Sequence, residues 1–521
     1  MKKDVAHILR RSERFQVILI GEGILAGAVA GLVALGYRIL LEQAGTWLNL
    51  ILQAVRGSLP GILAWFGALA FLAAVVAALL KFEPLISGSG IPQLEGEMTG
   101  KLTQTWWKIL PAKFLGGFLC MLGGLALGRE GPSIQLGAMA GKGISHALDR
   151  SRTEEKYLLT CGAAAGLSAA FQAPLAGVMF SLEEVHKNFS VSVLVSVMSA
   201  SLTADYLASR VMGTDTVFQF PIAQELPTGY YGLLLLLGVI LGAGGAFYNW
   251  FTLKSQKLYG RLKTRPFVKM LIPFLTAGVL GLCLPQVLGS GHSLVEWMTG
   301  GECTLGMVAL VVAVRFLFGG ISFGSGAPGG IFFPLLVLGA GIGALFGLGG
   351  TALFGISPEY LNNFVLLAMA GYFTAIVRAP LTGIILIFEM TGSVSQMLSL
   401  SLVSITAYVT ATLLRSKPIY ESLLDSLLRK NGIFGEEGNG EKILNRFAVA
   451  HGSAAANQKI RDVDWPENCL VVSLERGDEE LIPRGKTEIL PGDLIVIMSE
   501  EQENGRIYDQ MTRLCREREE K

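Results

Sequence analysis

Eleven apolar stretches follow one another along the chain, near 15–42, 61–80, 109–127, 157–182, 191–212, 230–252, 268–288, 307–319, 333–355, 362–390 and 396–414. A backbone in a bilayer has no water to satisfy its polar groups, so such stretches form helices, and a full span needs about 20 residues. Several stretches are that long. Others are short or cut by Gly and Pro, and glycine supplies 65 of the 521 residues. Glycine inside apolar runs lets helices approach closely. It also permits helices that stop within the membrane, which are tolerated only where they are buried or line a wet cavity. The expected fold class is an all-α polytopic membrane protein with broken helices, followed by a small α/β soluble domain at the C-terminal end.

Charge marks the division. Only 16% of all residues are charged, yet 33 of the 93 from Arg429 onward are; a soluble domain usually carries about 25%. This predicts a membrane body over 1–427, a linker at 428–444 and a cytosolic domain over 445–521. A net charge of +1 with no basic patch gives no support to a nucleic-acid partner. The six cysteines (Cys120, Cys161, Cys283, Cys303, Cys469, Cys515) form no CxxC pair and read as small apolar residues in packed helices, with no metal site expected. Lys2, Lys3, Arg10, Arg11 and Arg14 precede the first apolar run, which places the N-terminus in the cytoplasm by the positive-inside tendency. That run is too long for a cleavable signal peptide.

The membrane body repeats itself. Gly88-Ser89-Gly90 recurs as Gly289-Ser290-Gly291, and Pro132-Ser133-Ile134-Gln135-Leu136-Gly137-Ala138 resembles Pro334-Leu335-Leu336-Val337-Leu338-Gly339-Ala340. Ala173-Pro174-Leu175-Ala176-Gly177 resembles Ala379-Pro380-Leu381-Thr382-Gly383. The three matches are collinear at a nearly constant offset, which predicts two homologous halves, about 15–212 and 230–427. Repeats with broken apolar segments at matching places point to a transport site between the halves, near the midplane. Glu130 aligns with Phe332, Gly128 with Gly330 and Glu183 with Glu389, whereas Glu184 aligns with Met390. Glu183 and Glu389 therefore read as a repeated structural feature. Glu130 and Glu184 lack counterparts, as expected of residues with a directional task.

Three segments carry the chemistry. Gly128-Arg129-Glu130-Gly131-Pro132 sets a lone carboxylate among small residues, and an ionisable group at membrane depth is costly and functional by default. Gly88-Ser89-Gly90-Ile91-Pro92 and Gly326-Ala327-Pro328-Gly329-Gly330-Ile331-Phe332-Phe333-Pro334 join small residues to proline, a helix-start signature. Helix N-termini offer unpaired N–H groups and a partial positive charge to an anion. Alone, each segment reads equally as a tight turn or a packing site; with the repeat they suggest one shared anion site. Backbone dipoles and hydroxyls suit transport, because conduction needs binding weak enough to release. Tyr420, after the last apolar segment, could add a neutral O–H or serve as an interfacial anchor. Ser181-Leu182-Glu183-Glu184-Val185-His186 could be a helix end at headgroup level, with His186 interfacial. Lys113 and Arg315, in apolar surroundings, could set a positive field for an anion or form structural ion pairs.

With these motifs the chain resembles the CLC family of chloride channels and proton-coupled chloride antiporters, from about residue 15 to 427. GSGIP (88–92), GREGP (128–132) and GGIFFP (329–334) correspond to its three signature segments, and KFLGG (113–117), AAAGLSAAFQAPLAGVMFSLEE (163–184) and RAPLTGIILIFEMT (378–391) extend the likeness. The resemblance implies a homodimer of inverted repeats in membrane lipid, with one pathway per subunit and both termini in the cytoplasm of a cell inner membrane. It implies that Ser89, Tyr420 and the N–H groups of Ile331 and Phe332 hold the central chloride. Gly88, Gly90, Ile91, Pro92, Gly128, Arg129, Gly131, Pro132, Gly330, Phe333 and Pro334 complete the selectivity motifs. Glu130 would be the external gating glutamate and Glu184 the internal proton-transfer glutamate. A glutamate at 184 favours Cl⁻/H⁺ exchange; the alternative is a passive voltage- or ligand-gated chloride channel of the same fold. The intact GSGIP and GREGP favour chloride over fluoride. No catalytic residue and no cofactor are implied beyond the transported chloride and H⁺.

The tail reads as short strands. Cys469–Leu474 is apolar, an acidic turn follows at 476–480, and Asp493–Met498 is a second strand behind a Pro491-Gly492 turn. WPENCLVVSLERGDEELIPRGKTEILPGDLIVIMS (465–499) resembles the TrkA-C (RCK-C) module over about 445–515. That resemblance implies dimerisation and regulation by a small-molecule, nucleotide-like ligand; no phosphate loop is visible, and a purely structural dimerisation role stays open.

Overall fold

In a computed structural model of the chain, residues 2–187, 189–218, 220–222, 226–301, 303–433, 442–477, 479–500 and 503–516 are described. The side chains of the basic N-terminal residues and residues 434–441 of the expected linker lie outside that set. The chain divides into two compact units, Met1–Leu427 and Leu428–Lys521.

The first unit is helical. Its first half holds α1 (Lys2–Val55), α2 (Leu59–Phe82), α3 (Ile91–Met98), α4 (Trp106–Leu122), α5 (Glu130–Ala147), α6 (Arg152–Phe171), α7 (Pro174–Phe180) and α8 (Val191–Met212). Its second half holds α9 (Tyr231–Arg261), α10 (Pro266–Cys283), α11 (His292–Thr299), α12 (Leu305–Gly324), α13 (Phe332–Phe354), α14 (Leu361–Val377), α15 (Pro380–Thr391) and α16 (Met397–Leu413). α17 (Ile419–Lys430) follows. The halves match α-helix for α-helix, and the 3₁₀ turns Pro84–Ile86 and Pro285–Val287 also correspond. Matching glycines share backbone angles: φ is 63° at Gly88 and Gly289, and 95° at Gly90 and Gly291.

The contacts between halves are reciprocal. Gly88 N–H donates to Gly326 O at 3.4 Å, and its counterpart Gly289 N–H donates to Gly124 O at 3.2 Å. Such reciprocity is what a two-fold relation between the halves requires, and the body is a pair of inverted repeats with broken helices.

Among the described residues, eight helices are long and apolar enough to cross a membrane, α1, α2, α8, α9, α10, α12 and α13 among them. The protein is a multi-pass membrane protein. Small residues set the helix spacing, as membrane packing favours. Gly23, Gly27 and Gly31 of α1 face Ser196, Ala200 and Ala204 of α8, where a Cβ would meet backbone. Gly137 and Gly141 of α5 lie against Gly162 and Leu158 of α6, and Gly339 and Gly343 of α13 against Met369 and Val365 of α14. These close pairs bring the N-terminal ends of α5 and α13 inward.

The second unit is a four-stranded antiparallel sheet with order β1-β4-β2-β3: β1 (Lys442–Ala448), β2 (Cys469–Arg476), β3 (Glu479–Leu481) and β4 (Leu494–Glu500). α18 (Asn504–Cys515) covers it, burying Ile507 and Met511 against Phe447, Leu474, Ile495 and Ile497. The expected strands at Cys469–Leu474 and Asp493–Met498 fall on β2 and β4. The expected acidic turn is the β2–β3 connection, with Gly477 at φ 59° and its residue 478 outside the described set.

Candidate anion and proton site

Three helix N-termini meet where the halves touch. Gly90 opens α3 at a left-handed φ, and Pro92 in the first turn pre-sets helical geometry where a missing N–H costs nothing. Glu130 opens α5 and Phe332 opens α13, each followed by a first-turn proline, Pro132 and Pro334. Their closeness is read from the glycines between them. A Cβ on Gly131 would lie 3.2 Å from Ser89 Oγ, and one on Gly330 would lie 3.1 Å from Gly131 N. One on Gly128 would meet Glu130 Oε2 at 2.5 Å, Pro334 Cδ at 2.8 Å and Phe333 N at 3.3 Å.

Gly128 N–H donates to Gly330 O at 2.7 Å, and Gly330 N–H returns a bond to Gly128 O at 2.8 Å. The two residues aligned by the repeat are thus bonded to each other and lie on the axis relating the halves. The axis therefore passes beside Glu130 on one side and Phe332 on the other.

The first N–H groups of a helix have no intrahelical acceptor, so those of Ile331, Phe332 and Phe333 are left to other partners. Buried Ser89 accepts a bond from Ile91 N–H at 3.2 Å, which leaves its own O–H free to donate. Tyr420, 0% exposed, has no partner for its O–H among the described residues. Complete burial removes the reading of Tyr420 as an interfacial anchor. The Phe332 ring packs on Phe171, Phe180 and Phe373 at centroid distances of 5.6, 5.6 and 4.7 Å. Phe180 meets Tyr420 edge-on at 6.5 Å. The aromatic set thereby carries the start of α13 across to α17.

Glu130 is 1% exposed, and its Oε2 has no hydrogen-bond partner among the described residues. The Arg129 guanidinium stands 3.8 Å from Oε1 but is committed to Glu42 at 2.7 Å, which also takes Arg38 at 3.1 Å. A carboxylate at a helix N-terminus is favourably placed for the dipole, so Glu130 stays buried without a full ion pair of its own.

Glu183 and Glu184 do not sit on an ordinary α-helix, where neighbours diverge by about 100°. α7 runs into a π-helical turn, Ser181–His186, a form found mostly at functional sites. Glu183 accepts from the N–H of Leu381 (3.4 Å), the N–H of Thr382 (2.9 Å) and Thr382 Oγ1 (2.8 Å) at the start of α15. Glu389 accepts from Leu175 N–H (2.9 Å) and Ala176 N–H (2.7 Å) at the start of α7. Each half caps a helix of the other. Glu184 turns elsewhere: it is 6% exposed, and its Oε1 has no partner among the described residues. His186 is half-buried, its Nδ1 3.0 Å from Thr160 Oγ1.

Among the described residues, Lys113 and Arg315 make no ion pair, the structural alternative read from the sequence. Both are buried, and each donates to one backbone carbonyl before its half's Gly-Ser-Gly loop and to one within it. Lys113 donates to Ile86 O (2.9 Å) and Gly88 O (2.6 Å), and Arg315 to Val287 O (2.5 Å) and Ser290 O (2.6 Å). They are repeated supports of the loops. Sequence reasoning passed over Glu95, Lys187 and Glu42. Glu95 and Lys187 are ionisable residues beside apolar runs, the same signal that singled out Glu130.

A profile of the family described as voltage gated chloride channel matches residues 71–412, and one of the TrkA-C domain matches 444–511. The chain is 36% identical over 443 residues to the H(+)/Cl(-) exchange transporter ClcA of Vibrio cholerae serotype O1, covering 82% of this chain and 94% of that one. It is 32% identical over 444 residues to ClcA of Citrobacter koseri, covering 82% and 92%. Among solved structures, a slow cyanobacterial Cl⁻/H⁺ antiporter superposes with a TM-score of 0.76 at 29% identity, over 80% of this chain and 99% of that one. With the signature loops meeting at one axis and the family match running from 71 to 412, the chain belongs to the voltage gated chloride channel (CLC) family and carries a TrkA-C domain behind its membrane body.

Proposed function

We propose that the protein exchanges chloride for protons across a cell membrane. The observation that carries this reading is Glu130: a buried carboxylate at the start of α5, one oxygen without a hydrogen-bond partner among the described residues, beside the N–H groups opening α13. A carboxylate there stands where an anion would. Ser89 O–H, Tyr420 O–H and the N–H groups of Ile331 and Phe332 hold the chloride. They are neutral donors, strong enough to replace water and weak enough to release. Gly88, Gly90, Ile91, Pro92, Gly128, Arg129, Gly131, Pro132, Gly330, Phe333 and Pro334 shape the loops that present them.

The coupling follows from competition. Ionised, Glu130 is drawn to the helix N-termini and excludes chloride. Protonated, it loses that attraction and gives way. A chloride beside it favours the neutral carboxyl by like-charge repulsion, so chloride and a proton help each other bind. Glu184, on the π-turn of α7, passes protons to and from the cytoplasmic side by a route that the anion does not share. The ClcA relatives, named as H(+)/Cl(-) exchangers, and the retained Glu184 support exchange over passive conduction. The working unit is a homodimer in an inner membrane, each subunit with its own pathway and both termini cytoplasmic. The TrkA-C domain answers to a nucleotide-like small molecule.

The test is the reversal potential of the protein in planar bilayers under a pH gradient. An exchanger reverses away from the chloride potential and moves with pH; reversal at the chloride potential whatever the pH would overturn the reading.

A further inference from the structure

Lys187 closes the π-turn that carries Glu184, and it does so at φ 53°. A non-glycine residue in that left-handed region is strained and persists where its surroundings hold it. Two bonds hold it. Its Nζ donates to Glu95 Oε1 on α3 and to Glu421 Oε1 on α17, the latter at 2.8 Å. Glu95 is buried, and its second oxygen has no partner among the described residues. Glu184, three residues back along the turn, is buried beside the same group with its own free oxygen. The elements joined here are those that present the anion's hydroxyls: Ser89 lies just before Gly90, the cap of α3, and Tyr420 is the neighbour of Glu421 on α17.

We infer that Lys187 is a positioning residue for coupling. It is one cation that ties the turn bearing the internal proton glutamate to both elements that present hydroxyls to chloride. The inference rests on the exchange reading above. With the tie intact, a change at Glu184 reaches α3 and α17 together, and the site responds as one body. Without it, Glu95 and Glu184 face each other as unbalanced carboxylates, and the turn is free of the anion site. Chloride keeps its donors, since the bonds of Lys187 go to Glu95 and Glu421 and, among the described residues, not to Ser89, Tyr420 or the start of α13. Proton transfer loses its timing. Glu42, Arg129 and Arg38, joined to one another, play no part in this tie.

The experiment is paired proton and chloride flux from vesicles holding the full-length protein, as wild type, Lys187→Met, Lys187→Arg and Glu421→Gln. Wild type without proton flux would sink the exchange reading itself, before any variant is compared. Given coupled wild type, K187M should lose about tenfold in proton flux per chloride, the scale of an ordinary coupling between sites. K187R, which can still bridge two carboxylates, should restore most of that ratio. E421Q, which alters one bond at a half-exposed partner and leaves the buried one, should fall between and guards against K187M simply failing to fold. A K187M or E421Q protein with the wild-type ratio overturns the inference, as does a K187R ratio no better than that of K187M.

Discussion

At the residue scale, the site depends on glycines that let charged and polar groups share a small space. Gly128→Ala would press a methyl onto Glu130 Oε2 and Pro334 Cδ. Turnover should fall at least tenfold, by the sensitivity of such sites to misplacement of about 1 Å, and initial chloride flux measures it. The neighbouring pair Glu183 and Glu184 gives a sharper contrast. Glu183→Ala uncaps α15 and should cost about 1 kcal/mol, seen as a lower melting temperature in detergent with the proton-to-chloride ratio unchanged. Glu184→Ala should leave melting nearly unchanged and remove proton movement while keeping chloride selectivity. A swap of those phenotypes would contradict the division of labour between the two carboxylates. Glu130 was legible in the sequence because an ionisable group stands out in an apolar chain. Lys187 was not, because Glu95, Lys187 and Glu421 meet only when α3, α7 and α17 are folded together. The π-turn was equally hidden, since SLEEVH carries no signal that separates a π-turn from an α-helix.

At the element scale, helix contacts are made by backbone meeting backbone. Gly137→Val would drive a side chain into the Gly162 carbonyl of α6, an overpacking worth about 1–3 kcal/mol. Gly36→Val on α1, where nothing lies within 4 Å, should be tolerated, and thermal melts of the two variants side by side decide the point. Hydropathy found the lipid-facing helices readily. It passed over α5, which is walled in by protein and has no need of a continuous apolar surface; there the repeat and the glycine spacing were the better guide. In the tail, burial alone would raise the Asp493 carboxyl. Hydrogen bonds from Arg476 at 2.8 Å and from Leu490 N–H at 2.7 Å outweigh it and hold the carboxyl below its usual range. A depressed carboxylate stabilises above its unfolded pKa and loses that contribution as pH falls through the folded value. Asp493→Asn should therefore lower hydrogen-exchange protection of β2 and β4 at neutral pH and flatten its decline in acid.

At the scale of the whole molecule, the two-fold relation explains why function needs asymmetric residues. The halves share loops, buried cations and mutual caps, but a symmetric site could not tell one face of the membrane from the other. Glu130 against Phe332 and Glu184 against Met390 break the symmetry, and both exceptions were readable from the repeat alone. The tail is a separate unit, and a chain ending at Leu428 should retain basal exchange while losing any response of the full chain to added adenine nucleotides; identical responses would leave the tail a purely structural role. The central claim is that Glu130 is the proton-operated competitor for chloride. Its most direct test is proton uptake into vesicles driven only by a chloride gradient, comparing the full chain with Glu130→Gln. The account predicts uphill proton movement in the wild type, none in E130Q, and chloride flux persisting in both. Undiminished proton uptake in E130Q would contradict it.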